Sequence, residues 1–253
     1  MKMTRIIAIV NQKGGSGKTT TAVNLASSLV DLNKKVLLID VDPQGSASLW
    51  MGLKDGGKKL FEMMTGSNNL SSAIVPTKQK GLDIIASSPM LSGLEKALAN
   101  EVGSEMILKN KLKEFESNYD YILIDCPPTL GVLSLNALTA AKEVIVPVEA
   151  HVMALHGLVQ LMKTINLVRE RLNPKLKISG ILPCRVDLRT KHSKEVLEQL
   201  KSRFDKQIYK SVIRENIKLA EAPLHLKPIS RYAKDCHGSK DYQKLAEELC
   251  EKK

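Results

Sequence analysis

Aromatic residues are scarce in this chain: three Phe, five Tyr and a single tryptophan, Trp50, among 253 residues. So few rings argue against recognition of nucleic acid by stacking bases on exposed aromatic side chains. Cysteine is also scarce. Cys126, Cys184, Cys236 and Cys250 have no C-x-x-C spacing and no companion histidines at metal-ligand spacing, so reduced thiols of a cytosolic protein are expected. No apolar run reaches the roughly 18 residues that a membrane-spanning helix needs, and Met1-Lys2-Met3-Thr4 leads into a strand pattern rather than a signal segment. A soluble, cytoplasmic protein is expected. No Pro/Ser/Gly-rich linker interrupts the alternation of apolar runs and helical segments, which predicts one domain over 1–253. Acidic residues are outnumbered, 27 Asp+Glu against 38 Lys+Arg, a formal charge of +11. That excess favours a polyanionic partner, either nucleic acid or an acidic membrane surface.

What the chain does contain is a phosphate-binding pattern. The apolar run Arg5–Val10 is followed by Lys13-Gly14-Gly15-Ser16-Gly17-Lys18-Thr19-Thr20 and then by a helical spacing through Asp31. Gly14, Gly15 and Gly17 allow backbone angles that turn successive N–H groups toward phosphate oxygens, and the positive end of the next helix adds to that field. Lys18 is placed to reach the terminal phosphates, and the Thr19 hydroxyl to ligate magnesium. The general pattern G-x-x-x-x-G-K-[ST] has a glycine where this chain has Gln12, and Lys13 follows directly.

Short all-apolar runs ending in carboxylates mark buried parallel strands, whose carboxyl ends carry the chemistry of open α/β sheets. Val36–Ile39 ends in Asp40, with Asp42 two residues on, and Tyr121–Ile124 ends in Asp125. Thr19, Asp40 and Asp125 are the expected magnesium set. Further strands are expected at Leu82–Ala86, Glu143–Val148 and Ile178–Pro183, and helices at Leu91–Phe115, broken near Gly103, and Leu158–Leu172; 46–80 is the least readable stretch. The fold class is α/β, a doubly wound, mostly parallel sheet with helices on both faces. His151 and His156 have no partner pattern that demands metal or catalysis. From Arg185 to Lys234 there are thirteen Lys/Arg against six Asp/Glu, so most of the chain's excess charge lies here and polyanion binding is favoured. The tail, Lys240–Leu249, puts Tyr242, Leu245, Ala246 and Leu249 on one narrow apolar face, which suits packing on the body better than a membrane interface.

The K-G-G-x-G-K-T form resembles the deviant Walker A loop of the ParA/MinD group of ATPases. Asp40-Val41-Asp42-Pro43-Gln44 is similar to its switch I segment, Asp125-Cys126-Pro127-Pro128 to its Walker B and switch II segment, and Asp187-Leu188-Arg189-Thr190 and Asn216–Pro223 to its D-x-R-T and E-A-P segments. The nitrogenase iron protein shares that fold, but no Cys-Gly-Gly follows the strand here, so core packing is expected of Cys126. The resemblance, closest to the ParA/Soj branch, implies a P-loop ATPase using ATP and Mg²⁺. It implies that Lys13 reaches across an ATP-dependent homodimer, that Asp42 handles the attacking water, and that Arg189 and Lys218 contribute to binding nonspecific double-stranded DNA. It further implies a slow reaction discharged by a ParB-like partner, on the nucleoid. Lys218 stands where relatives carry arginine, and His156 where they often carry glutamate. Two other classes are kept: a MinD-like membrane-cycling regulator of division or organelle placement, and a biosynthetic enzyme on the same scaffold that phosphorylates or amidates a small molecule.

Overall fold

The computed structural model describes residues 4–53, 58–66 and 70–252. The starting Met1–Met3 and two of the breaks expected in the poorly readable stretch, Gly56-Gly57 and Ser67–Asn69, lie outside the described residues, as does the side chain of His156. In chain order the elements are β1 (Arg5–Ile9), α1 (Lys18–Asp31), β2 (Val36–Asp40), α2 (Ser46–Trp50), α3 (Lys58–Met64), β3 (Ile74–Pro76), β4 (Leu82–Ile85), α4 (Leu94–Ala97) and α5 (Ile107–Leu112). They continue with β5 (Tyr121–Asp125), α6 (Val132–Ala140), β6 (Glu143–Glu149), α7 (Val152–Arg171), β7 (Lys177–Cys184), α8 (Lys191–Phe204), α9 (Ile217–Glu221), α10 (Ile229–Tyr232) and α11 (His237–Glu251).

The strands form a seven-stranded sheet of order β3-β4-β2-β5-β1-β6-β7, parallel except for β3, which runs antiparallel to β4 at one edge. The continuous apolar runs follow from burial on both faces. Ile6, Ala8, Leu37, Ile39, Ile122 and Ile124 enter one core with residues of α6 and α7, while the alternate residues Ile7, Ile9, Val36, Leu38 and Leu123 enter a second core with α1 and α11. With both faces of β2 and β5 buried, the period-two alternation of a half-exposed sheet has nothing to act on in these strands.

Two features of this fold fix the site. Register pairs Asp40 with Asp125 on neighbouring strands, and Ile9 with Asp125 on the other side, so the carboxyl ends of β1, β2 and β5 converge. The C-terminal helix then seals the α1 face: Tyr242, Leu245, Ala246 and Leu249 are all buried, and Arg5 ties the helix end down by donating to the Leu249 and Lys252 carbonyls. The helix predicted over 91–115 is instead broken into short pieces, α4 and α5 with single 3-10 turns around them. Asn173, expected only as a helix stop, caps α6 as well: its Nδ2 lies 2.7–3.1 Å from the Leu138, Thr139 and Ala141 carbonyls.

Candidate active site

Between β1 and α1 the chain turns with Gly15 and Gly17 at φ +73° and +92°, a region closed to ordinary side chains. Gly14 is not in that region, so two of the three expected glycines make the turn. A Cβ on Gly17 would also meet Cys184 Sγ at 3.5 Å. The loop opens into a cleft of about 730 Å³, lined by residues 14–20, by Asp42, Gln44 and Ser46, by Pro128, and on the far side by Cys184, Arg185 and the stretch from Ile213 to Ala220. That far wall was not expected from the sequence. The N–I–K–L–A–E–A–P segment, read there as a DNA element, borders the nucleotide cleft through Asn216, Ile217, Leu219 and Ala220. The wall is braced by Arg214, whose Nη2 and Nε lie 2.5 and 3.0 Å from the carboxylate of buried Asp241 on α11.

Four charged groups meet at the floor. Lys18 is buried and its Nζ donates to the Lys13 carbonyl at 3.3 Å; burial lowers its pKa, opposed by the charges of Asp125 and Asp42. Asp125 is fully buried and neither of its oxygens has a hydrogen-bond partner. Desolvation, then the charge of Asp40, drives its pKa well up, with the nearby Thr19 hydroxyl favouring the charged form. Asp42 lines the cleft, and its Oδ1 accepts from the Gln44 amide at 3.0 Å. Asp40, expected beside the metal, is occupied otherwise: it accepts from the Ser48 amide (2.8 Å), the Ser48 hydroxyl (2.7 Å) and the Asp42 amide (3.2 Å). Burial raises its pKa to about 6. A buried carboxylate with two orphaned oxygens beside a threonine hydroxyl is a donor set suited to a hard, oxygen-preferring dication, so Thr19 and Asp125 fit Mg²⁺, while Asp40 is hydrogen-bonded to Ser48 and the Asp42 amide.

Lys13 is not in this cleft. Its exposed ammonium pairs with Glu149 Oε2 at 2.8 Å, and Arg185 Nη1 reaches the other oxygen at 3.1 Å. Lys13 and Glu149, with Asn11, Gln12, Ala154 and Gly157, line a separate hollow of about 230 Å³. His151, Cys126 and the remaining cysteines bring no metal cluster together; among the described residues there is none. Cys126 and Cys184 are buried thiols whose pKa burial pushes up, consistent with packing.

The two residues expected to meet DNA are both exposed and both paired within the chain. Arg189 makes a two-pronged contact with Asp187 at 2.9 and 2.8 Å, which holds that carboxyl down at about 2. Lys218 pairs with Glu221 at 2.9 Å. Elsewhere in the basic segment Lys194, Lys201, Arg203 and Lys206, on and just after α8, are exposed, as are Lys210, Lys227 and Lys234.

A parallel sheet with a glycine turn, a buried lysine and strand-end aspartates at its carboxyl edge defines a P-loop ATPase. The AAA domain family matches residues 4–178. The chain is 43% identical over 249 residues to the sporulation initiation inhibitor protein Soj of Bacillus subtilis, covering 98% of both, and 41% identical over 247 residues to the chromosome partitioning protein ParA of Myxococcus xanthus, covering 97% and 87%. It therefore belongs to the ParA/Soj-type family of partition ATPases. Cobyrinic acid a,c-diamide synthase of Mycobacterium smegmatis, solved with an ATP analogue and magnesium, superimposes with a TM-score of 0.85 at 34% identity, covering 96% and 93% of the two chains. ATP and Mg²⁺ are the cofactors.

Proposed function

We propose that this chain, acting as a single domain over 1–253, is a chromosome-partition ATPase that dimerises with ATP, binds DNA without sequence preference and is released when a ParB-like partner stimulates a slow hydrolysis. The observation that carries this reading is the position of Lys13. Its ammonium sits on Glu149, outside the cleft that holds Lys18, which supports a role for it at phosphates bound by a second protomer.

Within one protomer the roles divide by position. The amides of 14–17 and the start of α1 would cradle the phosphates, with Ser16 and Thr20 in the same loop. Lys18 would neutralise the terminal phosphates, its lowered pKa being restored by their charge. Thr19 and Asp125 would hold Mg²⁺, which supplies further charge neutralisation when bound. Asp42, which lines the cleft, would orient the attacking water, and ATP and water would leave as ADP and phosphate. Lys13 of the opposite protomer would complete the charge balance.

DNA binding is supported by the exposed cations of α8 and by Arg189 and Lys218. Their ion pairs are no obstacle, because exchanging an exposed carboxylate for a DNA phosphate costs little. The MinD-like alternative loses its amphipathic segment, since the apolar face of α11 is buried on α1; among the described residues no helix is long and apolar enough to cross a membrane. The biosynthetic alternative has a structural neighbour, but the 41–43% identical relatives named above favour partition. Light scattering tests the reading. Wild-type protein should double in mass with ATP and Mg²⁺ but not with ADP, while Lys13→Gln should bind nucleotide, stay monomeric and not turn over. An ATP-dependent dimer with normal turnover in Lys13→Gln would sink the cross-protomer role.

A further inference from the structure

Asp42 is gripped by a segment that belongs to none of the sequence motifs. Ser87, just past β4 and 45 positions away in the chain, donates from its hydroxyl to the Asp42 carbonyl at 2.5 Å. Its amide donates to the Ser48 hydroxyl at 2.8 Å, and that hydroxyl donates to Asp40 Oδ2 at 2.7 Å. The Asp42 amide returns to Asp40 Oδ1 at 3.2 Å. The result is a closed ring of four residues from two parts of the chain, Asp42 to Ser87 to Ser48 to Asp40 and back, and all four are buried.

The ring matters because Asp42 lies between β2 and α2, in irregular backbone that includes left-handed Gly45 at φ +63°. Apart from the ring, the segment is fixed by Val41 N to the Asp125 carbonyl at 3.0 Å, Gly45 N to the Asp42 carbonyl at 2.8 Å, and the Gln44 amide on the Asp42 side chain. Of these, only the first reaches beyond the segment itself. A group that orients a reacting water must be held to a fraction of an ångström, and a loop cannot do that without support from a rigid element. Ser87 supplies the support. It lies two residues past the end of β4, which pairs with β2 from Val36–Leu82 to Ile39–Ile85, so the sheet edge holds it. Buried from water, the hydrogen bonds of the ring are also stronger than exposed ones.

We propose that Ser87 is a positioning residue for ATP hydrolysis, its hydroxyl anchoring the Asp42 loop to the β4 edge of the sheet. The proposal rests on Asp42 as the water-handling group. Ser87→Ala is a suitable probe because the Asp42 carbonyl keeps its bond from Gly45, so no buried acceptor is orphaned, and the Ser87 amide still reaches Ser48.

The experiment compares wild type, Ser87→Ala, Ser87→Thr, Asp42→Ala and the Ser87→Ala/Asp42→Ala double variant. It measures steady-state ATPase, affinity for a non-hydrolysable ATP analogue, and thermal melting. In Ser87→Ala, kcat should fall about five- to tenfold, as for the loss of one hydrogen bond, while KM, analogue affinity and melting temperature stay near wild type. Ser87→Thr, which keeps the hydroxyl, should recover most of the rate, and the double variant should be no slower than Asp42→Ala. Wild-type kcat in Ser87→Ala with an inactive Asp42→Ala overturns the proposal. So does a fall in kcat accompanied by equal losses of affinity and melting temperature, which would make Ser87 structural. Wild-type turnover in Asp42→Ala would instead overturn the underlying assignment of Asp42.

Discussion

If Lys13 has to leave its own chain to act, the carboxylate that holds it in the monomer opposes dimerisation. Glu149→Gln removes that charge and keeps the shape. The pair spans 2.8 Å, but the Lys13 and Glu149 side chains are 48% and 22% exposed, so it belongs with solvent-screened ion pairs. Such pairs are worth roughly 0.2–1 kcal/mol, and a dimer must break two, which gives about 0.4–2 kcal/mol or a roughly two- to thirtyfold tighter dimer in the variant. Arg185, which shares Glu149 at 3.1 Å, retains Glu215 at 3.6 Å and does not become an unpaired neighbour. The assay is sedimentation or light scattering across protein concentration with ATP and Mg²⁺, in an Asp42→Ala background so that nucleotide is not consumed. The variant should dimerise at lower concentration with ATP and remain monomeric with ADP. A weaker dimer would refute the reasoning, because it would place Glu149 among the contacts that hold the dimer together.

Further outcomes follow from the same geometry. Asp42→Ala should keep ATP binding and dimer formation but lose hydrolysis, which a phosphate-release assay and light scattering read together. Gly17→Ala forces a side chain into φ +92° at 3.5 Å from Cys184 Sγ, costing roughly 1–2 kcal/mol of backbone strain, and should abolish nucleotide binding in a fluorescent-ATP titration. Asp241→Asn weakens the charge-assisted contacts to Arg214 and should lower stability by about 2 kcal/mol in urea unfolding while raising KM for ATP, because Arg214 forms part of the cleft wall.

The strand runs were legible because burial on both faces leaves a continuous apolar signature, and Asp40 and Asp125 were legible as carboxylates at the ends of such runs. The phosphate loop was legible from its glycines and lysines. What the sequence hid depends on contacts between distant parts of the chain. Ser87 looks like any loop serine, and only the pairing of β4 with β2 brings it against Asp42. Asp40 is as well placed along the chain as Asp125, and only the fold shows that Ser48 and the Asp42 amide hydrogen-bond the first while the second has no such partner. Residues 91–115 carry helical spacing but fold as short helices and turns, since local periodicity does not report how long a helix has a surface to pack on. The Asn216–Pro223 segment was legible as a resemblance, yet its place on the nucleotide cleft comes from the way the chain returns after β7.

The most direct test of an ATP-switched DNA-binding dimer is a fluorescence-polarisation titration of unrelated duplexes at several salt concentrations with ATP, ADP and no nucleotide. The account predicts tight binding only with ATP, equal for all sequences. Its log-log salt dependence should have a slope of about −0.9 per phosphate contact and flatten in an Arg189→Glu/Lys218→Glu variant whose DNA-free ATPase is nearly unchanged. Equal affinity of the wild-type protein in all three nucleotide states would contradict it.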